Sequence, residues 1–127
     1  MPLDARRVLI VEDDDNIADL LLVVLTGEGY ATARAGDGEH ALEIATTMAP
    51  EIILLDMMLP GMHGLEFARR YRERGGRAPI VAVTALPDTA QLRRDGNITA
   101  VLRKPFELEA LLVVVAETLA RQTPREA

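Results

Sequence analysis

Apolar and polar positions along this chain switch repeatedly between two periods. Short aliphatic runs recur, and each is followed by a longer stretch in which apolar residues return every three or four positions. Val8-Leu9-Ile10-Val11 lies in a strand predicted over 7–11. A helix follows over 16–28, with Asp14 or Asp15 at the cap position and Gly29 near its end. Residues 30–35 alternate as a second strand, and Asp37 can cap a helix over 38–48. The run Ile52-Ile53-Leu54-Leu55, within a strand over 51–55, suits a position covered on both faces. The pattern continues with a helix over 64–74, a strand over 80–83 and a short helix over 88–94 opened by Pro87. A strand over 99–102 and a helix over 107–121 complete it, and 122–127 reads as a polar, frayed tail. Strict alternation of this kind predicts an α/β fold: a parallel five-stranded sheet with helices on both faces and right-handed crossovers. The chain shows no internal repeat, low-complexity segment or second domain. Residues 1–127 therefore read as a single domain with its core at about 7–121.

Helical spacing also predicts which faces are buried. In the first helix Ile17, Leu20, Leu21, Val24 and Leu25 form the core stripe and leave Leu22 and Val23 outside. In the last helix Leu108, Leu111, Leu112, Val115 and Leu119 form it and leave Val113 and Val114 outside. Residues outside the stripes are either ordinary exposed side chains or a partner surface.

The candidate chemistry gathers at the strand ends. The first strand runs into Glu12-Asp13-Asp14, the third ends at Asp56, and the fourth runs into Thr84-Ala85. The fifth passes through Arg103 into Lys104-Pro105-Phe106. Parallel strands bring all these groups to one edge of the sheet, where the sites of such folds lie. A carboxylate behind four aliphatic residues is costly unless a negative charge is needed there. Glu12, Asp13 and Asp56 would crowd three carboxyl groups and raise one another's pKa. A hard cation such as Mg²⁺ relieves that repulsion and keeps positions open for water and phosphate. The competing reading of Glu12-Asp13-Asp14-Asp15 is a solvated loop that caps the first helix. Lys104 reads either as a snorkelling surface lysine or, beside Asp56, as a holder of phosphoryl oxygen. Thr84 reads either as a β-branched strand residue or as a hydroxyl donor to the same group. Together a carboxylate nucleophile, a cation, a hydroxyl and a metal are the parts of aspartyl-phosphate chemistry.

Composition narrows the choice. The chain is 49% hydrophobic but only 3% aromatic, with no Trp, so the core is aliphatic. A net charge of −6 argues against nucleic-acid binding by this domain. The absence of Cys excludes disulfides, thiol catalysis and Cys-based zinc sites. Two histidines, His40 and His63, are too few for a His-rich metal centre. No apolar run has the length of a membrane span and no signal segment opens the chain, so a cytoplasmic protein is expected. Arg69, Arg70, Arg72, Arg74 and Arg77 read as a solvated helix face and loop. Gly36, Gly38, Gly61 and Gly64 read as turn and cap residues and lack the spacing of a nucleotide fingerprint.

Val11-Glu12-Asp13-Asp14, Leu55-Asp56-Met57-Met58-Leu59-Pro60-Gly61-Met62-His63-Gly64, Val83-Thr84-Ala85 and Lys104-Pro105-Phe106 resemble the four motifs of the response-regulator receiver domain of two-component signalling. Four motifs in order, each at a strand end, make the resemblance specific over about residues 7–121. It implies a flavodoxin-like, doubly wound (βα)5 sheet of order 2-1-3-4-5. It implies that Asp56 accepts a phosphoryl group from a histidine kinase or phosphotransfer protein. Glu12, Asp13, Asp56 and the backbone carbonyl of Met58 would arrange Mg²⁺, Thr84 and Lys104 would bind phosphoryl oxygens, and the Lys104–Pro105 bond would be cis. The domain would be a regulatory phosphoacceptor rather than an enzyme with a separate substrate. The first helix would meet the kinase's helical bundle, and the last helix an output protein or a second receiver.

The chain also departs from the family's pattern. Val101 stands three positions before Lys104, where receivers often carry an aromatic switch residue. The segment from Thr84 to Lys104 is short by a couple of residues around Asp95-Gly96-Asn97, which predicts a stunted or irregular fourth helix. A smaller activation change, or one read out by a loop, is expected. Met58 and Leu86 are apolar at the two positions that influence dephosphorylation, so phosphate loss should be slow. The rivals are a haloacid-dehalogenase-type phosphatase, a pseudo-receiver that works without phosphorylation, and a receiver belonging to a longer regulator. The first needs a second acid two residues after the nucleophile, where Met58 stands. The full Glu12, Asp13, Asp56, Thr84 and Lys104 set speaks against the second.

Overall fold

A computed structural model describes residues 5–122. In chain order the elements are β1 (Arg7–Val11), α1 (Asp15–Gly27), β2 (Ala31–Ala35), α2 (Gly38–Met48), β3 (Ile52–Asp56), β4 (Met58–Leu59), β5 (Met62–His63), α3 (Gly64–Glu73), β6 (Ile80–Thr84), α4 (Ala90–Arg94), β7 (Ala100–Arg103) and α5 (Leu108–Gln122). Five strands form one sheet in the order β2-β1-β3-β6-β7, with every neighbouring pair parallel. Counting the strands of this sheet alone, that is the expected 2-1-3-4-5 order.

The aliphatic runs are explained by the two layers they serve. Side chains alternate across a strand. Leu9, Val11, Ile53, Leu55, Ile80 and Ala82 face one side and pack with Leu42, Phe67 and Tyr71 of α2 and α3. Val8, Ile10, Ile52, Leu54, Val81 and Val83 face the other and pack with Leu21, Leu25, Leu111 and Val115 of α1 and α5. Both faces of β1, β3 and β6 are covered, so a polar residue inside these strands would lack water and partners. Truncation of a buried leucine such as Leu54 to alanine would cost about 2–5 kcal/mol.

Caps set where the helices begin. Asp14 caps α1, accepting from Ile17 N at 3.1 Å, and Asp37 caps α2, accepting from His40 N at 2.8 Å. His63 caps α3 through Nδ1, which accepts from Leu65 N at 3.1 Å.

The pattern of positions misjudged four side chains. Leu20 and Leu108, assigned to the core stripes, are exposed at 45% and 42%. Leu22 and Val114, assigned outside, are half-buried and pack on the core. The reason is a small rotation of each helix: the buried face of α1 runs through Ala18, Leu21 and Leu25, and that of α5 through Leu111, Val115 and Leu119. Val23 and Val113 are exposed as expected.

A two-residue hairpin, β4 with β5, was not foreseen. It pairs Met58 with His63 and Leu59 with Met62 around Pro60-Gly61, where Gly61 has φ +75. A ladder this short leaves no periodicity to read. Gly64 follows it because an added Cβ would meet the Met57 Cα at 2.8 Å.

Helix α4 is stunted as expected, at five residues, and starts at Ala90 rather than at 88. Asp88 Oδ1 accepts from Ala90 N at 2.9 Å, which terminates the loop two residues later than Pro87 suggested. The arginine cluster is not simply solvated. Arg72 lies over the Tyr71 ring and donates to the carbonyls of Ala78 at 2.7 Å and of Gly76 and Asn97 at 3.3 Å. It thereby ties the end of α3 to the segment before β7. Arg70 pairs with Glu66 and Glu39, and Arg69 with Glu73. Of the polar tail, Gln122 belongs to α5, and residues 123–127 lie outside the described residues.

Candidate functional site

Four strands of the sheet deliver their carboxyl ends to one edge, and register fixes what each presents. Asp56 is the last residue of β3 and stands opposite Val83 of β6. Thr84 ends β6 opposite Arg103 of β7. Two backbone bonds extend the ladders by one step, Glu12 N to Ala35 O at 3.0 Å and Lys104 N to Thr84 O at 2.7 Å. Glu12 and Lys104 therefore enter the site with a backbone still held by the sheet.

Glu12, Asp56 and Thr84 are buried, whereas Asp13 is exposed. Carboxylate oxygens of Glu12, Asp13 and Asp56 all lie within 4.8 Å of one another. Lys104 Nζ stands 3.1 Å from Glu12 Oε1 and 3.6 Å from Asp56 Oδ2. The lysine bonds to Glu12 and is only an ion-pair neighbour of Asp56. Asp56 Oδ1 accepts from Met58 N at 3.1 Å, which places the backbone of Met58 beside the carboxylate. Met58 is 62% exposed. Thr84 Oγ1 accepts from Leu86 N at 3.0 Å. The Lys104–Pro105 bond is cis.

Burial pushes the Glu12 carboxyl above its ordinary pKa, and Asp56 adds to the push. The Asp14 amide, which donates to Glu12 Oε2 at 3.1 Å, and Lys104 oppose it. Removing a charged acid from water beside a second acid is costly, and one ammonium relieves it only in part. All the converging ligand atoms are hard oxygens, with no sulfur or imidazole among them. That donor set fits Mg²⁺.

Arg34 was not foreseen as part of this site. Its guanidinium donates to Glu12 O from Nε at 3.0 Å and from Nη2 at 2.8 Å, and Nη2 pairs with Asp15 Oδ1 at 3.0 Å. The only trace in the sequence is a charge inside Ala31-Thr32-Ala33-Arg34-Ala35. Beside Lys104, a groove of about 340 Å³ is lined by Ile17, Leu20, Ala85, Pro105 and Phe106.

The response regulator receiver domain model matches residues 8–116. This chain belongs to that family. The receiver is 40% identical over 118 residues to the DNA-binding response regulator MtrA of Mycolicibacterium smegmatis, covering 91% of this chain and 51% of the relative. It is 35% identical over 120 residues to the response regulator MprA of Mycolicibacterium vanbaalenii, covering 93% of this chain and 52% of the relative. The receiver thus spans about half the length of the curated relatives it matches. Among solved structures it resembles the receiver domain of a Pseudomonas aeruginosa sensor histidine kinase with a magnesium ion coordinated in the active-site cleft. That likeness has a TM-score of 0.81 at 28% identity and covers 91% of this chain and 98% of the other. Among the described residues, no helix of this receiver is long and apolar enough to cross a membrane.

Proposed function

We propose that this receiver domain is a phosphorylation-controlled switch in which Asp56 accepts a phosphoryl group from a histidine kinase or phosphotransfer protein. The observation that carries the reading is the convergence of Glu12, Asp13, Asp56 and Lys104 at one sheet edge, with Thr84 ending the neighbouring strand. One Asp56 oxygen forms the new bond to phosphorus as the bond from phosphorus to the donor's imidazole nitrogen breaks, and that nitrogen keeps the electron pair. Met58 N–H holds the other carboxylate oxygen and so fixes the direction of attack. Lys104 turns from Glu12 to a phosphoryl oxygen. The Thr84 hydroxyl donates its proton to another phosphoryl oxygen while still accepting from Leu86 N. Bound Mg²⁺, held by Glu12, Asp13, Asp56 and the Met58 carbonyl, would neutralise the crowded carboxylates and the charge on the phosphoryl oxygens. The apolar Met58 and Leu86 leave no side chain to orient an attacking water, so the phosphorylated state is long-lived.

The groove between α1 and Pro105-Phe106 opens beside Lys104 and receives the helical bundle of the phosphodonor. The last helix serves an output protein or a second receiver. The domain works in the cytoplasm, with no nucleic acid bound by this domain itself and no membrane. The size of the MtrA and MprA relatives favours a further reading of the context, in which the receiver controls a longer regulator.

Intact mass after incubation with acetyl phosphate tests the switch, with and without Mg²⁺ and beside Asp56→Asn. A single Mg²⁺-dependent phosphoryl adduct that vanishes in the variant is expected. No adduct under any condition would leave a pseudo-receiver that works by contact alone.

A further inference from the structure

We infer that Arg34 is a positioning residue for the acidic loop, and that Mg²⁺ binds weakly without it. This inference rests on the Mg²⁺-dependent reading of the site given above. Arg34 belongs to β2, at the edge of the sheet, and among the described residues it makes no hydrogen bond or ion pair with Asp56. Its two nitrogens close a fork on a single atom, the backbone oxygen of Glu12. Glu12 N is bonded to Ala35 O, so both backbone polar groups of Glu12 are held from β2. On the far side of the loop, the same guanidinium meets Asp15 Oδ1 at 3.0 Å. Asp13 lies between these two anchors. It is exposed, and its side chain makes no hydrogen bond or ion pair among the described residues. Its carboxylate reaches the shared position within 4.8 Å of Glu12 and Asp56 only through the course of its backbone. Arg34 sets that course.

Two effects of Arg34 on a bound cation have opposite signs. As a nearby positive charge it repels Mg²⁺, so its removal would tighten binding. As a clamp it holds two ligands in place, so its removal would loosen them and weaken binding. The charge effect is small, because Asp15 already neutralises the guanidinium and that pair is open to solvent, with the Asp15 side chain 83% exposed. Residues that orient metal ligands from behind typically change affinity by about 10–100-fold. The positioning effect wins, and the sign of the change separates the two.

The experiment is a titration of isotope-labelled protein with Mg²⁺ alone, followed by backbone amide chemical shifts, for the unaltered chain, Arg34→Ala and Arg34→Lys. Arg34→Ala is expected to weaken Mg²⁺ about tenfold. In the metal-free state it is also expected to broaden or split the Asp13 and Asp14 amide signals while the β3 and β6 signals stay in place. Arg34→Lys keeps the charge but not the fork, and it is expected to weaken binding as well. It carries the test with the same sign if the alanine variant does not fold. Unchanged or tighter Mg²⁺ binding in the folded variants, with the unaltered chain binding normally, would overturn the role of Arg34 and leave the switch reading intact. No Mg²⁺ binding by the unaltered chain would overturn both.

Discussion

At the scale of single residues, the site holds more negative charge than its surroundings repay without a metal. Glu12 is the clearest case: it is 2% exposed, and burial raises its pKa. A raised folded pKa means that the native state binds this proton more tightly than the unfolded chain does. Glu12 therefore contributes its full stability below the ordinary value of 4.5, and that contribution is lost as pH rises towards the folded pKa. At neutral pH in a chelator, the ionised Glu12 weighs against the fold. Glu12→Gln should then melt higher, by on the order of 1 kcal/mol or roughly 3–5 °C for a domain of this size. Its advantage should shrink as pH falls towards 4.5, where the native glutamic acid is protonated too. Melting curves across pH in EDTA decide the matter, and an equal or lower melting temperature at neutral pH contradicts it. Residues of this kind were legible in the chain because each follows an aliphatic run directly: Asp56 after Leu55, Glu12 after Val11, Thr84 after Val83. Arg34 was not, because it sits among small residues on an edge strand and its fork closes on a backbone carbonyl, with the exposed Asp15 as its other partner. A side chain that bonds to a backbone atom imposes no residue type on its partner, so the sequence keeps no trace of the pair.

At the scale of elements, alternation of strands and helices was readable because both faces of β1, β3 and β6 and one stripe of each longer helix must be apolar. The rotation of the helices was not readable. In α1 every position from Leu20 to Leu25 is apolar, so several stripes fit the same run, and only contact with the sheet selects Ala18, Leu21 and Leu25. The correction moves the candidate partner surface. Leu22 is occupied by packing, whereas Leu20 is exposed and lines the groove with Ile17, Pro105 and Phe106 beside Lys104. On the proposed switch reading, an apolar wall next to Lys104 would let a docking helix bring its phosphohistidine within reach of Asp56. Leu20→Glu should therefore slow transfer from a phosphorylated histidine kinase by about tenfold, the effect of losing ~1.4 kcal/mol at an interface. Transfer from acetyl phosphate should be unchanged, because that donor needs no groove. Parallel transfer assays with the two donors check this, and equal rates for the variant and the unaltered chain with the kinase would remove the groove from the docking surface.

For the molecule as a whole, the question is how an event at Asp56 reaches a distant surface. Two routes leave the site through β6 and β7. The β7 route depends on a side chain that can change place, and Val101 is short, β-branched and packed against the core, with few rotamers to exchange. The β6 route is better provided. Thr84 Oγ1 holds Leu86 N at 3.0 Å, so movement of the hydroxyl towards a phosphoryl oxygen pulls on the backbone of the following loop. That loop leads into α4, which has five residues and whose N-cap residue, Thr89, makes no side-chain cap bond. Short helices of this kind open at low cost. Arg72 anchors the other end, where it holds Asn97 O, so displacement is confined between Ala85 and Arg94. Addition of beryllium fluoride with Mg²⁺ should accordingly shift amide signals across 85–94 strongly and those of β7 weakly. Leu86→Pro, which removes the amide that Thr84 holds, should reduce the response of α4 while leaving the shifts at Asp56 and Met58. A rearrangement centred on Val101, or an α4 response undiminished in Leu86→Pro, would place the relay in β7 instead. The test is informative because both segments report in one spectrum, and the shortened connection before β7 gives the loop less chain with which to absorb the pull.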